Sequence, residues 1–96
     1  MKLALKVHDA DNVAILFGEE IENGDVIEVL NKSGEKQQII AASPIPYGHK
    51  IAVSPISKGA TILKYGESIG VADADISVGE HVHVHNLGST RGRGDL

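Results

Sequence analysis

The sequence contains no cysteine and no tryptophan, and it has one phenylalanine and two tyrosines among its 96 residues. Without cysteine there are no disulfides, no thiolate metal ligands and no thiol nucleophile, which accords with a reducing compartment and makes the cytoplasm the expected location. The shortage of rings leaves Ile, Val, Leu and Ala to build a thin aliphatic core and offers almost nothing on which to stack a base. No apolar run is long enough to cross a membrane, and Lys2 and Lys6 interrupt the apolar residues at the amino terminus, unlike a secretory signal. Positive charge is also in deficit. Nine Lys and Arg against thirteen Asp and Glu give a formal charge of −4, so neither nucleic acid nor an anionic membrane is an expected partner. A chain of this length makes one small domain with little room for a deep pocket.

What the sequence does have is histidine, three of them in Gly79-Glu80-His81-Val82-His83-Val84-His85-Asn86-Leu87. In a strand, alternate side chains share a face, so His81, His83 and His85 are expected on one side and Val82 and Val84 on the other. Imidazole changes charge near neutral pH and is a common metal ligand, so the stretch reads as a metal site, a proton-transfer site or an anion pocket, against the plainer reading of a solvated strand face. With a rise of about 3.3 Å per residue, neighbouring histidines stand roughly 6.6 Å apart and the outer pair about 13 Å. Two neighbours can converge on one ion and the third cannot, so further ligands are expected from elsewhere in this chain or from a second chain.

The rest of the chain reads as short strands joined by turns. Residues 2 to 8 alternate as a half-buried strand. After the turn cluster His8 to Asn12, Val13 to Phe17 reads as a strand, with a short helix capped by Asp11 as the alternative. A pattern of an aliphatic residue, two others, Gly, two others and an aliphatic residue then recurs at Ile21-Gly24-Ile27, Ile45-Gly48-Ile51, Ile56-Gly59-Ile62 and Ile76-Gly79-Val82. Each copy is expected to be a glycine turn running straight into a strand, with the two aliphatic residues as core anchors. The expected strands are Val26 to Leu30, Gln37 to Ala41, His49 to Val53, Ile62 to Tyr65 and Glu80 to Leu87, with Asn31-Lys32-Ser33-Gly34 as a hairpin turn. Pro44, Pro46 and Pro55 fall at strand edges. The class is mostly β with little or no helix. Residues 88 to 96 have three glycines and no apolar periodicity, so the expected organisation is a domain over 1 to 87 and a flexible tail over 88 to 96, whose Arg91 and Arg93 suit contacts with a partner's carboxylates.

Taken in order, Asp11-Asn12-Val13-Ala14, Gly48-His49-Lys50-Ile51-Ala52, Lys64-Tyr65-Gly66 with Ile69-Gly70, and the histidine stretch at 79 to 87 resemble the amino-terminal SAF domain of altronate and galactarate dehydratases. The resemblance covers nearly the whole chain from residue 8, and its carboxy-terminal motif is the specific one. It implies a β-clip fold with short two-stranded sheets. The ending Arg91-Gly92-Arg93-Gly94-Asp95 is similar to the close of stand-alone small subunits, which implies a small subunit that works with a separately encoded large subunit and is inactive alone, a fragment of a longer protein being the alternative. Self-association stays open.

The reaction implied by the resemblance is dehydration of an altronate-like aldonate to a 2-keto-3-deoxy acid. The rival is elimination of sulfite from (2R)-3-sulfolactate by a related two-subunit lyase, and a third reading is a non-catalytic module that binds a sugar acid or docks a larger subunit. Dehydration needs a base, an acid and a group to hold carboxylate charge. On this reading His49, His83 and His85 are the catalytic candidates, and His81, His83 and His85 are the ligands for a divalent metal, with iron the metal the resemblance suggests. Lys50, Lys64 and Asn86 are the candidates for binding the anionic substrate. Asn86 has a second reading, orienting a histidine or capping a strand end, and Tyr65 is expected in the core with its hydroxyl at the edge.

Overall fold

The structure, a computed structural model, describes residues 2–83 and 86–88. Within that range the chain folds into nine strands, and no described residue is helical. They are β1 (Lys2–Lys6), β2 (Val13–Phe17), β3 (Val26–Asn31), β4 (Lys36–Ile40), β5 (Lys50–Ala52), β6 (Thr61–Lys64), β7 (Glu67–Ala72), β8 (His81–Val82) and β9 (Leu87–Gly88). The ladders link into a six-stranded sheet in the order β4-β3-β1-β2-β5-β8 and a three-stranded sheet in the order β6-β7-β9, rather than staying as separate pairs. Strand β1 joins them up in the first sheet, running parallel to β3 on one side and antiparallel to β2 on the other.

The four glycine turns explain how so short a chain makes two cores. Ile21 bridges to Ile45 and Ile56 bridges to Ile76, so the first two copies are clipped together and so are the last two. The anchors of copies one and two, Ile21, Ile27, Ile45 and Ile51, are buried in one cluster, with Leu16, Val29 and Ile39 beside them. Those of copies three and four, Ile56, Ile62, Ile76 and Val82, are buried in a second, with Val13, Ala52 and Ala72. Every turn glycine takes a left-handed backbone, with φ between 81° and 92°, and its amide donates to the carbonyl of a neighbouring segment: Gly24 to Ala41, Gly48 to Leu16, Gly59 to Ala72 and Gly79 to Ala52. Gly79 is held more tightly than the others, because a Cβ there would overlap the Ile40 carbonyl oxygen.

Asp11 and Asn12 join the two halves. The buried Asp11 carboxylate accepts from the amides of His8, Tyr65 and Gly66 at 3.0, 2.9 and 2.7 Å, and the Asn12 side chain accepts from the Leu63 amide and donates to the Thr61 carbonyl. Asp11 therefore ends no helix. It ties the β6–β7 turn to the loop after β1, and by taking both turn amides it fixes Tyr65 at a φ of 57°. The ring consequently lies outside the core, 54% exposed, with the Lys64 ammonium 5.0 Å from its centroid. This corrects the expectation of a core tyrosine.

Two strand assignments are also corrected. Strand β7 is not legible in the sequence because Glu67-Ser68-Ile69-Gly70 lacks alternation and carries a glycine inside it. The glycine is there because Leu87–Gly88 runs alongside, where a Cβ at Gly70 would overlap the Gly88 carbonyl oxygen. The strand expected over Glu80 to Leu87 is broken: β8 ends at Val82, and the amides of Asn86 and Leu87 both donate to the His83 carbonyl, closing a tight turn. Val84, His85 and the tail at 89 to 96 lie outside the described residues. No helix among the described residues is long and apolar enough to cross a membrane.

Candidate functional site

The turn motif also explains why one histidine is free to project. In copy one the residue after glycine, Asp25, turns its carboxylate back to accept the Glu22 amide at 2.8 Å. In copy four Glu80 does the same for the Ser77 amide. Copy two has Pro46 at the equivalent position, which has no N–H to satisfy, and His49 stands where the capping carboxylate would be. The His49 backbone still closes the turn and joins the ladder, its amide donating to Pro46 and its carbonyl accepting from Leu16, but its side chain is released from capping.

That side chain meets the histidines of copy four. Strands β5 and β8 pair antiparallel with Ile51 opposite His81. Residues directly opposite share a face, and so do next-but-one residues on a strand, so His49, Ile51, His81 and His83 all lie on the side of the first core. His49 Nδ1 lies 2.8 Å from His81 Nε2, a hydrogen bond in which one nitrogen carries the proton and the other accepts it. The ring centroids are 5.0 Å apart for His49 and His81, 4.4 Å for His49 and His83, and 5.4 Å for the stacked pair His81 and His83. All three are half-buried, and one nitrogen from each lies within 4.8 Å of the other two.

The backbone beneath these rings is fixed from two sides. Asn86, buried at 6% exposure, accepts from the His83 amide at 3.0 Å and donates to the His81 carbonyl at 2.8 Å. Its side-chain amide thus bonds the backbone of the histidine segment on both sides. On the other side the His81 amide donates to Ser43 Oγ at 3.1 Å. The Gly79 carbonyl accepts from Ala42 as well, so the segment is fastened to the chain between copies one and two. Ser43 is a residue that the sequence reading did not single out. Its neighbours Pro44 and Pro46 mark a turn, and nothing local signals its contact with a segment 38 residues away.

The two candidate lysines occupy a different place. Lys50 pairs with Val82 and with Ile15, so it starts from the face of the second core, opposite the histidines. It is half-buried, and burial, reinforced by the nearby positive charge of Lys64, holds its pKa below the usual lysine value. The structure therefore brings Lys50 and Lys64 together, and His49, His81 and His83 together, as two sets. Two surface depressions of about 230 and 380 Å³, one beside Lys6 and Glu35 and one beside His8 and Lys32, include none of these residues. His8 instead packs its ring against Gly66 and accepts from the Ala10 amide through Nδ1.

Neutral imidazoles at this separation suit a borderline divalent ion such as zinc or iron, or a proton relay between rings. The comparisons with known proteins narrow the setting. Residues 2–90 match the family model described as altronate/galactarate dehydratase SAF domain. The chain is 40% identical over 82 residues to the altronate dehydratase of Escherichia coli, covering 85% of this chain and 15% of that protein. It is 41% identical over 86 residues to the altronate dehydratase of Bacillus subtilis, covering 90% of this chain and 16% of that protein. The chain thus spans about one sixth of the length of these two relatives. It is also 34% identical over 93 residues to the (2R)-sulfolactate sulfo-lyase subunit alpha of Chromohalobacter salexigens, covering 95% of this chain and 99% of that one.

Proposed function

Because this chain belongs to the SAF-domain family of altronate and galactarate dehydratases, we propose that it is the small histidine-bearing component of a lyase acting on an anionic hydroxy acid. The observation that carries this reading is the convergence of His49, His81 and His83 on one half-buried face of the domain. A half-buried cluster on so small a domain is poorly placed to run an elimination alone, so a larger subunit or domain is proposed to close over it.

The reaction proposed is dehydration of an altronate-like aldonate. The proton on the carbon beside the carboxylate is removed, the carbon–oxygen bond to the neighbouring hydroxyl breaks, and that hydroxide leaves as water after taking up a proton. The enol that remains shifts to the 2-keto-3-deoxy acid. An imidazole near its neutral form can take the first proton or give the second. The hydrogen-bonded pair His49 and His81 already holds a proton between two rings, and His83 stacks on His81 and lies tilted against His49. We propose that His49 and His83, with His85 outside the described residues as a further candidate, serve the reaction either by handling these protons or by holding a metal beside them. A divalent metal, iron by resemblance, would polarise the carboxylate or the leaving hydroxyl, and the imidazole nitrogens are the donors present to hold it. Lys50 starts from the other face with the Lys64 charge near it, so the carboxylate they would meet belongs to the closing subunit or to a part of the substrate that reaches beyond the histidines.

A second reading is favoured by one specific finding, the near-complete coverage of a sulfo-lyase alpha subunit by this chain. In that reading the same site eliminates sulfite from (2R)-sulfolactate. Assembling the chain with a large subunit and assaying 2-keto-3-deoxy acid from altronate beside sulfite from sulfolactate separates the two. Turnover of either substrate should fall at least 100-fold in His83→Ala. Binding of a sugar acid with no turnover by any assembled complex would leave the domain as a docking module.

A further inference from the structure

We propose that this domain by itself binds one divalent transition metal through His49 Nδ1, His81 Nε2 and a ring nitrogen of His83, so that the third ligand comes from the second glycine turn rather than from further along the histidine stretch. The inference deepens the reading above and rests on it only for the metal's use. The ligand set stands on geometry alone.

Three observations carry it. The first is spacing. Bonds of about 2.0–2.1 Å put adjacent nitrogens about 2.9 Å apart in an octahedral site and about 3.3 Å apart in a tetrahedral one. His49 Nδ1 and His81 Nε2 are already at 2.8 Å, and one ring nitrogen from each of the three histidines lies within 4.8 Å of the other two. Small rotations of the rings open the first pair slightly and draw His83 in. The second is that the site is built. Asn86 and Ser43 fix the backbone of the histidine segment, and the Gly48 turn fixes that of His49, so binding needs little ordering of the chain. The third is the turn itself. Asp25 and Glu80 cap their own turns, and Pro46 relieves His49 of that task and leaves it to project towards His81.

The set also predicts selectivity and a signature. All three donors are imidazole nitrogens with no carboxylate among them, which favours zinc, cobalt, nickel or iron over magnesium and calcium. A bound ion keeps its positive charge, which suits completion of the site by an anionic oxygen ligand. The proton now shared between His49 Nδ1 and His81 Nε2 must leave that position. In the bound state His49 carries its proton on Nε2 and His81 on Nδ1, so metal entry rearranges tautomers in an already folded domain.

The test is titration of the full 96-residue chain with cobalt(II), followed by its visible absorption, with zinc competition and calorimetry for the affinity. Long-range nitrogen–proton NMR reads the tautomers. The wild type is expected to bind one equivalent, with magnesium unable to compete. His49→Gln, His81→Gln and His83→Gln should each weaken binding about 100-fold or more, while His8→Ala and His85→Gln leave it within about threefold. Thermal melting of each variant without metal separates ligand loss from misfolding. A variant that unfolds is replaced by the Asn substitution at the same position. The proposal is overturned by no binding up to millimolar metal, by full binding in His49→Gln, or by loss of binding in His85→Gln with His49→Gln unaffected. A chain that binds metal through this set while its assembled complex turns over neither substrate would retain the site and discard the proposed function. Turnover without metal binding by the chain would do the reverse.

Discussion

The two halves of the molecule are made with the same turn and differ in how far each depends on the other. The first core has eleven buried apolar residues drawn from β1 to β5 and the segments around them. Among the described residues the second has seven, and three of these, Val13, Ala52 and Val82, are borrowed from strands of the first sheet. Burying an aliphatic side chain contributes about 1.5–3 kcal/mol, so the smaller cluster is the weaker and leans on the larger. Strands β5 and β8 form the seam: Ile51 faces one core, while Ala52 and Val82 face the other. The histidines sit along this seam, so their geometry reports how well the second half is docked.

The sharpest way to break the comparison is to make the same change in corresponding turns. Gly24→Ala strains a left-handed turn in open space and should cost about 1 kcal/mol. Gly79→Ala adds an overlap with the Ile40 carbonyl to the same strain and should cost roughly 3 kcal/mol or more, with loss of the His49–His81 contact. Thermal melts of the two variants decide it. Equal losses would show that the halves are not docked as described.

Next in size is Asp11→Ala, which leaves the amides of His8, Tyr65 and Gly66 without their acceptor. Water reaches part of the gap, so a cost of about 2–3 kcal/mol is expected. Hydrogen exchange should quicken at Tyr65 and Gly66 well before it does in β3 and β4. Uniform quickening would mean that the halves unfold as one unit and that Asp11 is an ordinary buried contact.

These two positions also show what the sequence discloses. The mostly β class, the four turns and the eight anchors are legible because each turn is a local pattern of glycine between aliphatic residues, and a turn of that kind forms wherever it sits. Which copies clip together is not, since Ile21 and Ile45 or Ile56 and Ile76 meet through tertiary pairing that no local pattern records. A helix capped by Asp11 stays open as the alternative to the strand at Val13 to Phe17 because two of the carboxylate's partners are 54 and 55 residues away. His49 stood out through its place after a turn glycine, yet its contact with His81 spans 32 residues. Lys50 reads as a companion of the histidines from sequence, and only the register of β5 against β8 sets it on the other face.

A smaller effect is expected at Asn86. Asn86→Ala frees the His81 carbonyl and the His83 amide inside a nearly buried turn, costing about 1–3 kcal/mol. Because the same bonds aim the two rings, cobalt affinity should fall about 10- to 100-fold. Asn86→Asp keeps the acceptor for His83 and loses the donor to His81, so it should recover part of the affinity. Full affinity in Asn86→Ala would confine Asn86 to a structural role.

The smallest expected change is a gain, at the seam's other face. Lys50 is half-buried with Lys64 nearby, and burial first, then that like charge, lowers its pKa from 10.5. The folded state therefore holds this proton less firmly than the unfolded chain does, which is a cost to folding wherever Lys50 is charged. Lys50→Met removes the cost while keeping most of the apolar stem, so the melting temperature should rise. Water screens the exposed part, which limits the rise to below about 5 °C. The pH dependence follows from the sign of the shift. Between the lowered folded pKa and 10.5 the unfolded chain binds more protons than the folded one, so the wild type recovers stability as pH rises through that window and the variant does not. The gap between them should be constant near neutral pH and close on the alkaline side. If Lys50→Met instead lowers the melting temperature at pH 7, the lysine has an anionic partner in the folded chain, and the second face is not the uncompensated cationic spot that the register and burial describe.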